Sequence, residues 1–188
     1  MTIRTMYALF LFILFTNPQA AAQDAPALKG FRGEFMGMFE HEAGKVVQLA
    51  GAVPDDKYSW RPAEGVRSIS EVYMHVAGAN ILLPAMISGE KADFEALTAR
   101  EKKVTDKKEV IAELTTSIEN VKKLVLSMSD EDLEKSVTIP FIPMTTTARG
   151  ILMMIMSHVS EHLGQSIAYA RTNNIVPPWT AQSGGANE

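Results

Sequence analysis

The sequence predicts an all-α fold, a four-helix bundle. Three observations carry that prediction. Four long segments, at roughly 28–53, 68–88, 107–128 and 148–172, carry apolar residues at helical spacing. Capping residues stand before the second, third and fourth. Prolines and glycines separate the segments, and no pair of strands is strong enough to support a sheet. The connections after the first and second helices exceed about 8 residues, which predicts a crossover between them.

The first helix presents Phe31, Phe35, Met38, Phe39, Val46 and Leu49 on one face. Five glycines (30, 33, 37, 44 and 51) weaken its intrinsic helicity, each by about 1 kcal/mol relative to Ala, so packing must hold it. Small residues there predict close approach to its neighbours. Pro54 ends it. The connection Pro54–Gly65 is a loop, with Tyr58 and Trp60 expected to cover the end of the core. Ser68-Ile69-Ser70-Glu71 is a capping box. The helix it opens has the stripe Val72, His75, Ala79, Leu82 and Met86, and Pro84 is expected to kink it or split off its last turn. The span 89–105 reads as a polar connection anchored by Phe94 and Leu97. Asp106 caps the third helix, whose apolar face is Val110, Leu114, Ile118, Val121, Leu124 and Val125. The span 136–144 is extended, because Pro140 and Pro143 forbid a long helix. Thr145–Thr147 caps the last helix, and Asn173-Asn174 stops it. An extended strip at 175–179 should fold back on the bundle, and 180–188 reads as a disordered tail. The domain therefore covers 28–179.

The N-terminus reads as a signal peptide over 1–22. Arg4 gives a basic start, Met6–Phe15 is an apolar run too short to span a bilayer comfortably, and Ala20-Ala21-Ala22 offers a cleavage site. Cleavage after Ala22 predicts a periplasmic or secreted protein with no stable membrane insertion; the alternative is a segment kept as an uncleaved membrane anchor. The full chain of 188 residues has a net charge of −4, and losing Arg4 makes it one charge more negative. No basic cluster interleaved with aromatics occurs, so nucleic acid is not an expected partner. The chain has no cysteine. A thiolate ligand and a cysteine nucleophile are therefore excluded, and any metal must be held by His, Asp or Glu.

Three of the four histidines lie in helix stripes. His158 and His162 are four residues apart, one turn on one helical face, within the stripe Ile151, Ile155, His158, His162, Gln165 and Tyr169. His75 occupies a stripe on the second helix. A buried polar ring needs a partner, and a metal ion is the partner that best explains rings stacked at this spacing. Three neutral imidazoles with one open position form a catalytic zinc-type site. Adjacency of the two helices is the condition. Gln165, one turn past His162, could hydrogen-bond a ligand ring, and the Tyr169 hydroxyl could line the pocket. Glu42 sits among apolar positions of the first helix. It either fans out to solvent or faces the metal cavity as general base or as acceptor from a ligand imidazole. It is the catalytic candidate. His158–His162 also matches H-x-x-E-H, but an all-α chain lacks the context of that protease motif, and Glu161 lies off the stripe. Methionines 144, 153, 154 and 156 could suggest copper, but methionine stripes are more often core filler.

Three stretches stand out together: Val53-Pro54-Asp55-Asp56 to Trp60-Arg61-Pro62; Ser68-Ile69-Ser70-Glu71 to Met74-His75-Val76; and His158 to His162-Leu163-Gly164-Gln165 with Tyr169-Ala170-Arg171 and Ile175-Val176-Pro177-Pro178. In these the chain resembles the DinB/YfiT-like superfamily of metal-dependent enzymes. The resemblance implies a bundle of down-up-up-down topology binding zinc, nickel or another divalent ion at His75, His158 and His162. It also implies thiol-dependent transfer or isomerisation as an activity. Export away from reduced thiols, and the lack of a basic cluster near the ligands in the sequence, argue against that chemistry here.

The expected function is metal-dependent hydrolysis or group transfer on a small molecule, the ion lowering the pKa of a bound water and polarising the substrate. The alternative is a non-catalytic binding or structural bundle of the cell envelope, with histidines paired to each other or to Glu42. Bundles of this kind often dimerise, which admits a homodimer, but the sequence leaves the oligomeric state open.

Overall fold

The computed structural model describes residues 28–184; the expected signal peptide and residues 185–188 lie outside them. Helices α1 (Gly30–Ala52), α2 (Ile69–Ser88), α3 (Phe94–Lys103), α4 (Lys107–Ser127), α5 (Ala148–Thr172) and α6 (Pro178–Gln182) are joined by loops and by one hairpin, β1 (Ser136–Ile139) with β2 (Met144–Thr147). The strands pair antiparallel, Ser136 opposite Thr147 and Ile139 opposite Met144.

The four long helices form the bundle. α2 packs on α4 and α5, and α1 packs on the same two helices. Thus α1 and α2 stand at opposite corners, and the connection between them crosses the end of the bundle. Tyr58 and Trp60 close that end. Tyr58 is buried and donates its hydroxyl to the Ala50 carbonyl at 2.8 Å. Trp60 meets Tyr169 edge-on, with ring centroids 5.4 Å apart.

The core is built from Phe35, Phe39, Val46 and Leu49 of α1, Val72, Tyr73 and Val76 of α2, Val110, Leu114 and Val121 of α4, and Ile151, Leu152, Ile155 and Val159 of α5. Met38 lies outside it, 60% exposed. Of the glycines in α1 only Gly33 is crowded, since a Cβ there would lie 2.4 Å from the Leu28 carbonyl oxygen. Gly37, Gly44 and Gly51 have open space, so close helix approach is not their role.

The capping box at Ser68 forms in full: the Glu71 amide donates to Ser68 Oγ, and the Ser68 amide donates to Glu71. α2 runs unbroken through Pro84 and stops at Gly89, whose φ is +76°. Its buried residues include Val72, Tyr73, Val76, Ala77, Asn80 and Leu83. The stripe His75, Ala79 and Leu82 lies to one side, half-buried. Asn80 points away from it and donates to Ser117 Oγ of α4 at 3.3 Å.

Three segments differ from expectation. The span 89–105 contains α3, capped by Asp93, whose side chain accepts from the Ala96 amide. Arg100, Lys102 and Lys103 stand in its last turn, where cations oppose the helix dipole. Phe94 is no anchor; it is 64% exposed. The extended span at 136–144 closes into a hairpin with β2. The strip at 175–179 and the start of the expected tail turn into α6, which packs on α1 and places Trp179 under Lys45 Nζ, 5.6 Å from the ring centroid. Pro178 at its first position is pre-organised for helix.

Candidate metal centre

α5 carries His158 and His162 one turn apart, and the neighbouring α2 brings His75 to face them. Ring centroids lie 4.9 Å (75–158), 4.9 Å (75–162) and 4.4 Å (158–162) apart. One ring nitrogen from each of the three falls within 4.8 Å of the others. Nε2 of His75 is 3.1 Å from Nε2 of His158.

The surroundings fix how two rings are protonated. His75 Nδ1 lies 2.9 Å from a carboxylate oxygen of Glu101 on α3. Burial pushes the Glu101 carboxyl up, but hydrogen bonds from His75 and Arg67 and the Arg67 charge outweigh it and hold the group below its ordinary value. An ionised carboxylate only accepts, so His75 donates from Nδ1, and its Nε2 faces His158. His162 Nδ1 donates to Gln165 Oε1 at 2.8 Å, and Gln165 Nε2 donates to the Tyr169 hydroxyl at 3.0 Å. This chain leaves the Nε2 lone pair of His162 free. Burial, reinforced by the charges of His162, His75 and Arg67, lowers the His158 pKa to about 3. His162 is also lowered, chiefly by burial, against the opposing Gln165 hydrogen bond. Both rings are therefore neutral at pH 7, the form that binds metal.

These donors suit a divalent ion. Zinc–nitrogen bonds of about 2.0–2.1 Å in a tetrahedron place ligand nitrogens about 3.3 Å apart, close to the His75–His158 separation. The Glu101–His75 contact has the form of the carboxylate–histidine pairs that orient metal-binding rings. His158 Nδ1 is buried without a hydrogen-bond partner among the described residues.

Glu42 is elsewhere, which corrects its assignment as catalytic candidate. It shares a separate cavity with Gly37, Met38 and His41 of α1 and Met156 of α5. Met156 and His158 are two residues apart, about 200° around the helix, so Glu42 faces the side of α5 away from the imidazoles. Its neighbours are Lys45 Nζ at 4.0 Å and His41 Nε2 at 3.9 Å. Glu161 is exposed, as its place off the stripe implies.

The acid beside the histidines is Glu101, which the sequence reading missed. Its signal was present: Phe94, Leu97, Glu101 and Val104 follow a helical stripe, and a carboxylate in such a stripe calls for a partner by the argument used for His75. Arg67, whose Nε donates to Glu101 at 2.6 Å, was missed too. A basic cluster also exists after all. Arg61, Arg67 and Lys102 line one cleft with Glu71, Glu101 and Gln165. One loop and three helices contribute to it, so it has no sequence signature.

On the other side of Glu101, an apolar cavity of about 400 Å³ is floored by His75 and His158 and walled by Leu82, Phe94, Leu97, Phe141 and Met154. That volume lies in the small-molecule range of about 300–1,000 Å³.

A family model described as DinB superfamily matches residues 38–166, a span that contains all three histidines and Glu101. Comparison with curated proteins finds no match. Among solved structures, a DinB-like protein from Bacillus cereus is 21% identical, with a TM-score of 0.64, covering 77% of this chain and 93% of its own. YfiT from Bacillus subtilis, described as a probable metal-dependent hydrolase with an unusual four-helix bundle topology, is 14% identical (TM-score 0.64; 81% and 93% covered). The mycothiol-dependent maleylpyruvate isomerase is 16% identical (TM-score 0.61), with 72% of this chain and 62% of that one covered. At these identities the likeness is one of fold.

Proposed function

The chain belongs to the DinB superfamily, and from that premise we propose a metal-dependent hydrolase or transferase acting on a small molecule. His75, His158 and His162 hold the ion, zinc or nickel. The observation that carries this reading is the convergence of three rings, one nitrogen of each within 4.8 Å of the others, two of them oriented through Nδ1 by Glu101 and Gln165. A divalent ion there supplies Lewis-acid polarisation of a substrate oxygen.

The protein's own groups do the rest. Glu101 and Gln165 hold the His75 and His162 rings in their tautomers. Arg67 keeps Glu101 ionised. Leu82, Phe94 and Phe141 form an apolar wall beside the imidazoles. Export by residues 1–22 to the periplasm or beyond is part of the proposal, as is the absence of nucleic acid from its partners.

Chain purified with zinc or nickel, tested on a panel of p-nitrophenyl esters, should turn over. Activity should be lost on chelation, restored by metal, and absent in His162→Ala. Turnover indifferent to chelator and to that substitution would contradict the proposal. The His75–His158 contact at 3.1 Å is also a hydrogen-bond length. It favours, as second reading, a non-catalytic envelope bundle with self-paired rings, which requires a metal-free chain.

A further inference from the structure

The histidine cluster lies where two cavities of opposite chemistry meet. One is the apolar cavity of about 400 Å³, which touches His75 and His158 directly and carries no cation in its wall. The other is the polar cleft, which reaches the cluster through Glu101 and Gln165, the partners of His75 and His162. Glu101 borders both.

Charge in the cleft is unbalanced. Arg61 is paired with Glu71, its Nη2 3.2 Å from the carboxylate, and Arg67 is paired with Glu101. Lys102 stands at the same cleft with no ion pair among the described residues. Three cations against two carboxylates leave one positive charge in excess. The apolar cavity is unsatisfied in its own way. Phe94 and Phe141 both line it, yet are 64% and 55% exposed, so apolar surface stands open to water at its mouth. Exposed apolar surface concentrated at a pocket marks a binding site.

We infer that the substrate is a monoanionic amphiphile: an apolar chain or ring seated between Leu82, Phe94 and Phe141, and a carboxylate-type head group held by Lys102 and Arg61. Its two halves are joined by a bond lying over the imidazoles. A purely apolar ligand leaves the excess charge of the cleft unmatched, and a small anion leaves the apolar wall wet. The inference deepens the proposed function, and rests on it for the place of the reacting bond.

The test is calorimetric titration of the zinc-loaded full chain with octanoate, 1-octanol and acetate, with zinc content measured on the same sample. Octanoate should bind about 100-fold or more tightly than acetate, from the burial of its chain, and about tenfold more tightly than octanol. Lys102→Glu, a surface change, should remove most of the advantage over octanol and leave octanol binding unchanged. Phe94→Ser with Phe141→Ser should weaken octanoate and octanol alike. A zinc-bearing chain that binds octanol as tightly as octanoate, or octanoate as weakly as acetate, overturns the inference and leaves the metal reading standing. A zinc-free chain that keeps the predicted order of affinities supports the two-part site and overturns the metal reading.

Discussion

The decisive side chains are three imidazoles and one carboxylate. Glu101 orients His75, and such partners are worth about 10–100-fold in metal affinity when removed. Glu101→Gln should therefore weaken zinc binding by about that factor in a chelator competition, with the helical circular dichroism unchanged. Acid should act on the metal-free chain through His158 and His162. Their folded pKa values lie below the unfolded value of about 6.5, so the unfolded chain binds more protons as pH falls. Their contribution is complete above about pH 6.5 and is lost progressively as pH falls toward the folded value of about 3 for His158. The urea midpoint of metal-free protein should thus decline from pH 6.5 to pH 4.5, before most carboxylates titrate, and His158→Leu should flatten that decline. The histidines were legible in sequence because i, i+4 spacing on an apolar stripe has few meanings. Glu101 was harder to find, because its stripe is short and lies in a segment half of whose residues are charged. Glu42 misled, because one face of α1 looks continuous in sequence while the packing of α4 and α5 leaves that position at its flank.

At the scale of elements, α2 decides the site, since it alone carries a ligand across to α5. Its start is set by the Ser68–Glu71 capping box, which places His75 two turns into the helix. Ser68→Ala should cost about 1 kcal/mol, a fall of about 2–4 °C in melting temperature for a chain of this size, with bound zinc retained. The box was readable from four letters. The effect of Pro84 was not: the sequence predicts a break, but a helix packed along its length against α4 and α5 tolerates one missing amide. α3 was lost because half of its residues are charged. Its stability comes from the Asp93 cap, the basic last turn and the Glu101 bonds to His75 and Arg67, and the last of these depend on contacts made by the folded chain.

Taken whole, the molecule is a ring of four helices in the order α1, α5, α2, α4. This arrangement makes α2 and α5 neighbours and lets their histidines meet. Connection lengths in the sequence foretold a crossover, whereas the pairing of corners depends on long-range packing that no local pattern encodes. The two cavities flanking Glu101 are products of that packing as well. An ion bridging α2 and α5 binds only the folded form, so excess zinc should raise apparent stability. At 100 times the dissociation constant the gain is about 2.7 kcal/mol, a shift of about 5–10 °C that chelator should abolish.

The proposed site requires three rings closing on one ion. Its most direct test is metal content by mass spectrometry on wild-type chain, His75→Ala and His158→Ala, purified side by side from zinc-supplemented cells. The predicted result is one ion per wild-type chain and almost none in either variant. Equal metal in all three, or none in the wild type, would contradict it.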